Sequence, residues 1–378
     1  MKILTLAAAA AGVFYWVEVF AQTLDLTGYW PGSGNTASHL HGLSANGSIA
    51  VGYSLGGYIP PIQNPGFTWT RAGGRFDFGL LPGMPPGTNA FGISGDGSVV
   101  VGEGEGGRAY RWDGAGTPQS LGVLQGYVYS RATSANHDGS VVVGFNTWQS
   151  DIAGQAFRWT STTGMVGLGF TRPDHFYSEA AAISRDGSTI VGHSRGGAGI
   201  NEAFVWTSTL GVQPLPGMDS TGEGRAYGTN YDGHIIVGDS RYGLGNRGAV
   251  MWIDGQVVPL GFAPGWFRGT AIAVNDSGSV IVGSLGAGPL TQTAAIWTPD
   301  RGGEPLSTYL AFHGIAVPGN VNLLTATCVS ADGMTIGGYT ESASGHQEGF
   351  VVTIPAPGAV TLVAPGVIAG LCRRRRIA

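Results

Sequence analysis

The chain has 378 residues, of which 67 are glycine and 20 proline, while 11% are charged and 43% hydrophobic. Glycine far above its usual share of about 7% excludes a helical bundle, and the modest charge excludes a disordered chain, which needs high charge and low hydrophobicity. With 19 basic against 24 acidic residues there is no basic face, so nucleic acid is not a predicted partner.

Residues 1–21 read as a secretory signal peptide. Lys2 supplies the positive end, Ile3 to Val17 is mostly apolar, and Val19-Phe20-Ala21 suits a signal peptidase. The body, 22–354, is built from seven repeats. They read LSANGSIAVG (43–52), ISGDGSVVVG (93–102), ANHDGSVVVG (135–144), ISRDGSTIVG (183–192), TNYDGHIIVG (229–238), VNDSGSVIVG (274–283) and VSADGMTIGG (329–338). Each has a turn glycine and a second glycine five residues later. The turn, most often Asp-Gly, tolerates positive φ as a tight hairpin needs.

Each repeat predicts four strands. An inner strand such as 90–94 leads into the turn, and a β-branched strand such as Val99-Val100-Val101 leaves it. A third strand carries an aromatic pair, as in Phe67-Thr68-Trp69 and Phe157-Arg158-Trp159. The fourth is a Leu-Gly piece such as Leu121-Gly122, Leu215-Pro216 or Leu306-Ser307. The last repeat stops after its third strand, and Thr23-Leu24-Asp25-Leu26 reads as the missing fourth. Four strands per 42–55 residues predict an all-β, seven-bladed β-propeller, its last blade closed by the N-terminal strand. Closure would remove exposed sheet edges.

Residues 355–378 read as a sorting segment. Pro355-Ala356-Pro357 precedes a mostly apolar run, 358–372, and the cluster Arg373-Arg374-Arg375-Arg376. Fifteen residues are short of the roughly 20 of a full span, so transient membrane insertion is expected, with the arginines on the cytoplasmic side. Of two cysteines, Cys372 lies in this tail and only Cys328 in the body. A disulfide within the body, or a zinc site built on several cysteines, is therefore excluded.

The repeat motif, Ala-x-x-Ile-Ser-x-Asp-Gly-x-Val-Val-Gly with Ala-Phe-x-Trp and Leu-Gly downstream, resembles that of HAF-type extracellular repeat proteins. The C-terminal order of short motif, apolar stretch and basic cap resembles a PEP-CTERM sorting signal. That resemblance implies an exosortase-type processing enzyme as partner and a place on the cell surface or in the extracellular matrix of a diderm bacterium. The HAF resemblance implies export and a propeller, and no defined activity.

Eight residues before each turn glycine stands a polar but variable position: His39, Asn89, Arg131, Glu179, Arg225, Thr270 and Thr325. It should ring one mouth of the central channel and is the candidate ligand-binding site. Loops reaching the same face carry the candidate aromatic rim of Trp30, Tyr127, Tyr177 and Trp266, beside Asp174, His175 and Phe176. Rings beside polar groups suit sugars. Small residues five before the turn glycine and Ser or Asn three before it read as structural, and the tryptophans as packing between blades.

No catalytic residue is assigned. His39-Leu40-His41 puts two imidazoles on one strand face without an evident third ligand, so no metal is predicted. The Gly-x-Ser-x-Gly matches at 52–56 and 192–196 lack the helix that a nucleophile elbow needs. No cofactor is predicted. The expected function is a non-catalytic exported module for extracellular polysaccharide or a surface protein. The alternatives are a secreted carbohydrate-active enzyme, with Glu179 and Asp174 as a carboxylate pair, and a purely structural matrix protein.

Overall fold

The computed structural model describes residues 6–10, 13–17, 23–29, 37–55, 65–78, 87–104, 106–148, 153–197, 199–243, 246–288 and 291–354. Leu6–Ala10 (β1) and Val13–Val17 (β2) pair as a hairpin inside the predicted export signal. The sorting segment 355–378 lies outside the described residues.

Leu24–Leu26 (β3) precedes seven sets of strands. The first is Ala37–Leu43, Ala50–Leu55, Gly66–Thr70 and Gly74–Asp77 (β4 to β7). The second is Asn89–Ile93, Val100–Gly104, Arg108–Trp112 and Gln119–Gly122 (β8 to β11). The third is Tyr129–Ala135, Val141–Thr147, Gly154–Thr160 and Gly164–Gly169 (β12 to β15). The fourth is His175–Ile183, Thr189–Gly196, Asn201–Thr207 and Gly211–Pro214 (β16 to β19). The fifth is Gly224–Thr229, Ile235–Tyr242, Asn246–Ile253 and Gln256–Pro259 (β20 to β23). The sixth is Arg268–Val274, Ile281–Gly288, Thr291–Thr298 and Gly302–Pro305 (β24 to β27). The short helix Leu306–Phe312 (α1) follows, and the last set is Val321–Val329, Thr335–Ser342 and Gln347–Thr353 (β28 to β30).

Within each set the strands pair antiparallel in chain order. Single parallel bridges, Gly154 with Tyr177 and Gln347 with Ala37, join two pairs of sets into eight-stranded sheets. β3 pairs antiparallel with β30, Leu24 opposite Val352 and Leu26 opposite Phe350. The Thr27 amide donates to the Gly349 carbonyl at 2.8 Å, and the Gly28 amide to Glu348 Oε1 at 2.8 Å. Leu306-Ser307, predicted as strand, instead opens α1. Leu306 and Leu215 lie just past a fourth strand and are buried, so in these two sets the leucine plugs the space after the strand, whereas Leu121 and Leu168 lie within theirs.

The turns explain two repeat columns. Gly97 has φ +79°, open to glycine at no steric cost. Ser94 Oγ donates to Asp96 Oδ1 at 2.6 Å and accepts the Val99 amide at 2.9 Å; Asn136 Oδ1 accepts the Val141 amide in the same way. The turns are also tied to one another. Ala45 N donates to Gly95 O, Asp96 N to His137 O, His137 N to Arg185 O, and Asp186 N to Tyr231 O, all within 2.7–3.1 Å. Asn230 Nδ2 donates to Asp276 O at 3.2 Å, Asp276 N to Ala331 O, and Ala331 N returns to Ala45 O at 2.7 Å.

The second glycine has a different cause. A Cβ on Gly192 would stand 1.9 Å from the Glu179 carbonyl oxygen, and at Gly52, Gly102, Gly144, Gly238, Gly283 and Gly338 the same approach is 1.9–2.0 Å. The inner strand shifts register by one residue at this height in every set, as a β-bulge does.

The hydrophobic clusters span neighbouring sets. Trp159 packs with Val99, Val101 and Ala109, and Trp297 with Val237 and Ala249. One departure from the repeat sits where the first and last sets meet. Leu40 occupies a column that is alanine in the other six repeats, and Gly337 one that is valine in the other six. A Cβ on Gly337 would lie 2.6 Å from Leu40 Cδ2 and 2.8 Å from Cys328 Sγ. The bulk missing at Gly337 is supplied by Leu40 and Cys328. Leu40→Ala should therefore cost about 2–4 kcal/mol by leaving a cavity, and Gly337→Val about 1–3 kcal/mol by overpacking. The triple variant with Cys328→Ala should recover most of the loss in a denaturant melt; additive losses would contradict the pairing.

Candidate functional site

All seven inner strands line one channel. Its cavity of about 480 Å³ takes one residue from the same register position of each: His41, Phe91, Thr133, Ala181, Tyr227, Ile272 and Thr327. Two residues earlier on each strand stands the candidate ring, opposite the residue that follows the second glycine. The pairs are His39 with Tyr53, Asn89 with Glu103, Arg131 with Phe145, Glu179 with His193, Arg225 with Asp239, Thr270 with Ser284, and Thr325 with Tyr339.

These residues divide among several environments. His39, Glu179 and Thr325 line the channel. Arg131 and Glu179 line a second cavity of about 520 Å³ with Glu103, Tyr129, Phe145 and Tyr177. Thr270 lies on a smaller one with Arg247 and Arg268. Thr325 is buried and accepts from Gln292 Nε2 at 2.7 Å. Asn89 Oδ1 is buried without a hydrogen-bond partner. The predicted rim is less uniform. Trp30 lies outside the described residues, Tyr177 is buried, and Trp266 packs against the core while its neighbour Phe267 is exposed. Trp148, more than half exposed at the end of β13, was not singled out from the sequence.

The feature that sequence reasoning missed is a belt of rings. Tyr339 stacks on His39 with centroids 4.2 Å apart, and His41 on Tyr53 at 5.0 Å. Tyr53 meets Phe91 at 5.2 Å, and the Arg131 guanidinium lies over Phe91 at 4.7 Å and over Phe145 at 5.6 Å. Phe145 meets Tyr177 at 6.4 Å, and Tyr177 meets His193 at 5.9 Å. The belt crosses from β29 to β17, through the place where the first and last sets meet. Its signal was a second variable column, just after the second glycine, in which Tyr53, Phe145, His193 and Tyr339 stand.

Charge fills the far end of the belt. Arg131 pairs with Glu103 at 2.6 Å, and Arg247 with Glu223 at 2.7 Å and Asp239 at 3.1 Å. Burial pushes the Glu179 carboxyl above its ordinary range, against the Tyr177 hydroxyl donated at 3.0 Å and the charges of Arg131, Arg225 and Arg195. Burial likewise raises Asp239, opposed by Arg247 and Arg225. His41 falls to about 3 through burial, then His39 and Arg131. His193 falls to about 3 through burial, then Arg225, Arg195 and Arg247. Both imidazoles are neutral at pH 7.

Among the described residues, the serines and histidines considered for catalysis are engaged in structural contacts. Asp174 lies in the turn before β16 and lines neither of the two larger cavities, whereas Glu179 lines both. The Gly-x-Ser-x-Gly serines, Ser54 and Ser194, are fully buried. Ser194 donates to the Tyr177 carbonyl and sits 2.9 Å from His175 Nδ1, holding strands together. His39 and His41 lie 6.3 Å apart and are committed to the ring stacks. Among the described residues no three His, Cys, Asp or Glu side chains cluster as a metal site.

No protein-family model matches the chain, nor does any curated protein. Solved structures do. An oligogalacturonate lyase in complex with manganese is similar at TM-score 0.57 and 11% identity, over 94% of this chain and 97% of that one. The β-propeller domain of the trilobed protease from Pyrococcus furiosus, which has an open velcro topology, is similar at TM-score 0.54 and 11% identity, over 84% of this chain and 94% of that one. The fold is a β-propeller. Hydrazine synthase from Kuenenia stuttgartiensis is similar at TM-score 0.52 and 12% identity, over 87% of this chain and 100% of that one. At these identities the likeness speaks for the propeller alone, since one fold hosts many functions.

Two titrations follow with opposite sign. The folded propeller resists protonating His193, so the wild type should lose stability relative to His193→Gln as pH falls from about 6.5 toward about 3. It resists ionising Glu179, so the wild type should lose stability relative to Glu179→Gln as pH rises above 4.5. Denaturant melts across pH 3–8 check both; curves parallel to the wild type would contradict these environments.

Proposed function

We propose that the chain is a seven-bladed β-propeller of HAF-type repeats, its last blade completed by β3, and that it is an exported, non-catalytic module that grips extracellular polysaccharide at the channel mouth. The seven strand sets and the hydrogen bonds that return to Ala45 support the blade count. The 1–21 and 355–378 segments support export and exosortase-type processing, by their resemblance to sorting signals.

The observation that carries the binding reading is the belt of rings. Half-buried aromatic faces alternate there with guanidinium and carboxyl groups over two adjoining cavities. Sugars present the matching surface, apolar faces edged by hydroxyls. A flat protein partner would need a broad exposed face, whereas the rings here line concave walls. Strands rather than loops carry the belt, so little ordering cost is incurred on binding.

A glycan array followed by titration calorimetry tests the reading. A bound oligosaccharide should lose about tenfold in affinity in Tyr53→Leu/Tyr339→Leu, which removes two ring faces while keeping apolar volume. Products with new reducing or unsaturated ends would instead make the protein an enzyme, with Glu179 as the first residue to replace. Silence across the array would leave the structural-matrix reading.

A further inference from the structure

The two larger cavities share one wall residue. Among the described residues, Glu179 alone lines both the channel and the second cavity. Its strand, β16, packs beside β12, which carries Arg131 at the same register position. The Arg131 guanidinium lies over Phe91, on the channel wall, and over Phe145, on the wall of the second cavity. Arg131 and Glu179 thus form the divide between the two spaces. Rings stand on either side of it, Phe91 and Tyr339 in the channel and Tyr129 and Phe145 in the second cavity.

The cations on these walls already have partners. Arg131 pairs with Glu103 and Arg185 with Asp276, and among the described residues no other guanidinium group lines either cavity. His39 Nε2 lies 2.7 Å from Gln347 Oε1, and His41 is neutral. An acid group would find no free cation there and would lie beside the carboxyls of Glu103 and Glu179, a like-charge contact that costs affinity. An ammonium group would meet the field of Arg131, Arg225 and Arg195, which already bears on Glu179. Glu179 itself keeps one open oxygen. It enters no ion pair among the described residues; the Tyr177 hydroxyl donates to Oε2 at 3.0 Å, and Oε1 accepts no hydrogen bond from them. A ligand hydroxyl would supply the missing donor.

We propose that Glu179 joins the channel and the second cavity into one extended site for a neutral polysaccharide, accepting sugar hydroxyls at its open oxygen while the sugars on either side lie against the rings. This rests on the glycan reading above and adds to it the charge class of the ligand, the residue that selects it and a requirement for length. Each cavity alone falls within the ~300–1,000 Å³ of a small-ligand site, so a chain that fills both gains over one that fills either. A hydroxyl both donates and accepts, and so bonds a carboxyl or an amide alike; a charged group does not.

Titration calorimetry of the full chain tests this. Cellohexaose, maltohexaose and mannohexaose are the neutral probes, beside their disaccharides, and sodium hexagalacturonate is the acid probe. A neutral hexasaccharide should bind at least about tenfold more tightly than its disaccharide and than hexagalacturonate. Glu179→Ala should weaken that binding about tenfold. Glu179→Gln, which keeps the hydrogen bond and drops the charge, should stay within about threefold of the wild type. Should Glu179→Ala fail to fold, Tyr177→Phe takes its place: it keeps the ring, leaves the carboxyl unheld, and should weaken binding several-fold. Tighter binding of hexagalacturonate, or equal losses in Glu179→Ala and Glu179→Gln, would overturn the neutral-sugar assignment. Disaccharides that bind as tightly as hexasaccharides would overturn the joined site. Binding that falls in Tyr53→Leu/Tyr339→Leu but is unchanged in Glu179→Ala would discard the site at Glu179 and keep the ring belt. No binding of any probe would overturn both.

Discussion

Seven carbonyl oxygens press on seven glycines, and the propeller is arranged around those contacts. At each one a side chain would stand about 2 Å from the oxygen of a ring residue, far inside any tolerable contact. The glycine lets the inner strand bulge against the second strand, and the bulge sets which residues face the channel. The residue whose carbonyl makes the contact and the residue after the glycine become opposite partners. The side chains of the candidate ring thus sit beside the least variable atoms of the repeat. That is how His39, Arg131 and Glu179 can differ in chemistry while sharing one backbone geometry.

The join between first and last sets shows how a repeat protein marks its own ends. Identical repeats would dock in any register. Here Leu40 and Gly337 break the repeat in opposite directions and fit each other, with Cys328 filling the remainder. The belt of rings runs across this same join, from Tyr339 to His39. The integrity of the candidate site therefore depends on the first and last sets meeting correctly. β3 adds to this through its pairing with β30 and the bond from Gly28 to Glu348.

Much of this was legible in the sequence, for physical reasons. A tight turn and a steric exclusion both demand glycine, so they leave a periodic mark, and the third-strand aromatics mark packing between neighbours. The ring column was legible because it stays polar. Depth was not legible. Tyr177 reads like an exposed loop aromatic, yet β16 begins at His175 and carries it inside. Ser194 matches Gly-x-Ser-x-Gly without the helix that a nucleophile needs, and it is a buried strut between strands. The belt escaped because its members come from two columns and become neighbours only through the bulged pairing. Leu306 reads as strand because its repeat position is apolar, although in that repeat the chain turns into α1.

The direct test of this account compares two alanine substitutions in one strand. Gly102 and Gly104 both lie on β9, but a Cβ at Gly102 would meet the Asn89 carbonyl at 1.9 Å, whereas at Gly104 the nearest atom is 3.6 Å away. In a denaturant melt Gly102→Ala should lose about 3 kcal/mol or more, while Gly104→Ala should change stability by less than about 1 kcal/mol. Equal effects at the two positions would contradict the claim that the glycine–carbonyl contacts hold the inner strands in place.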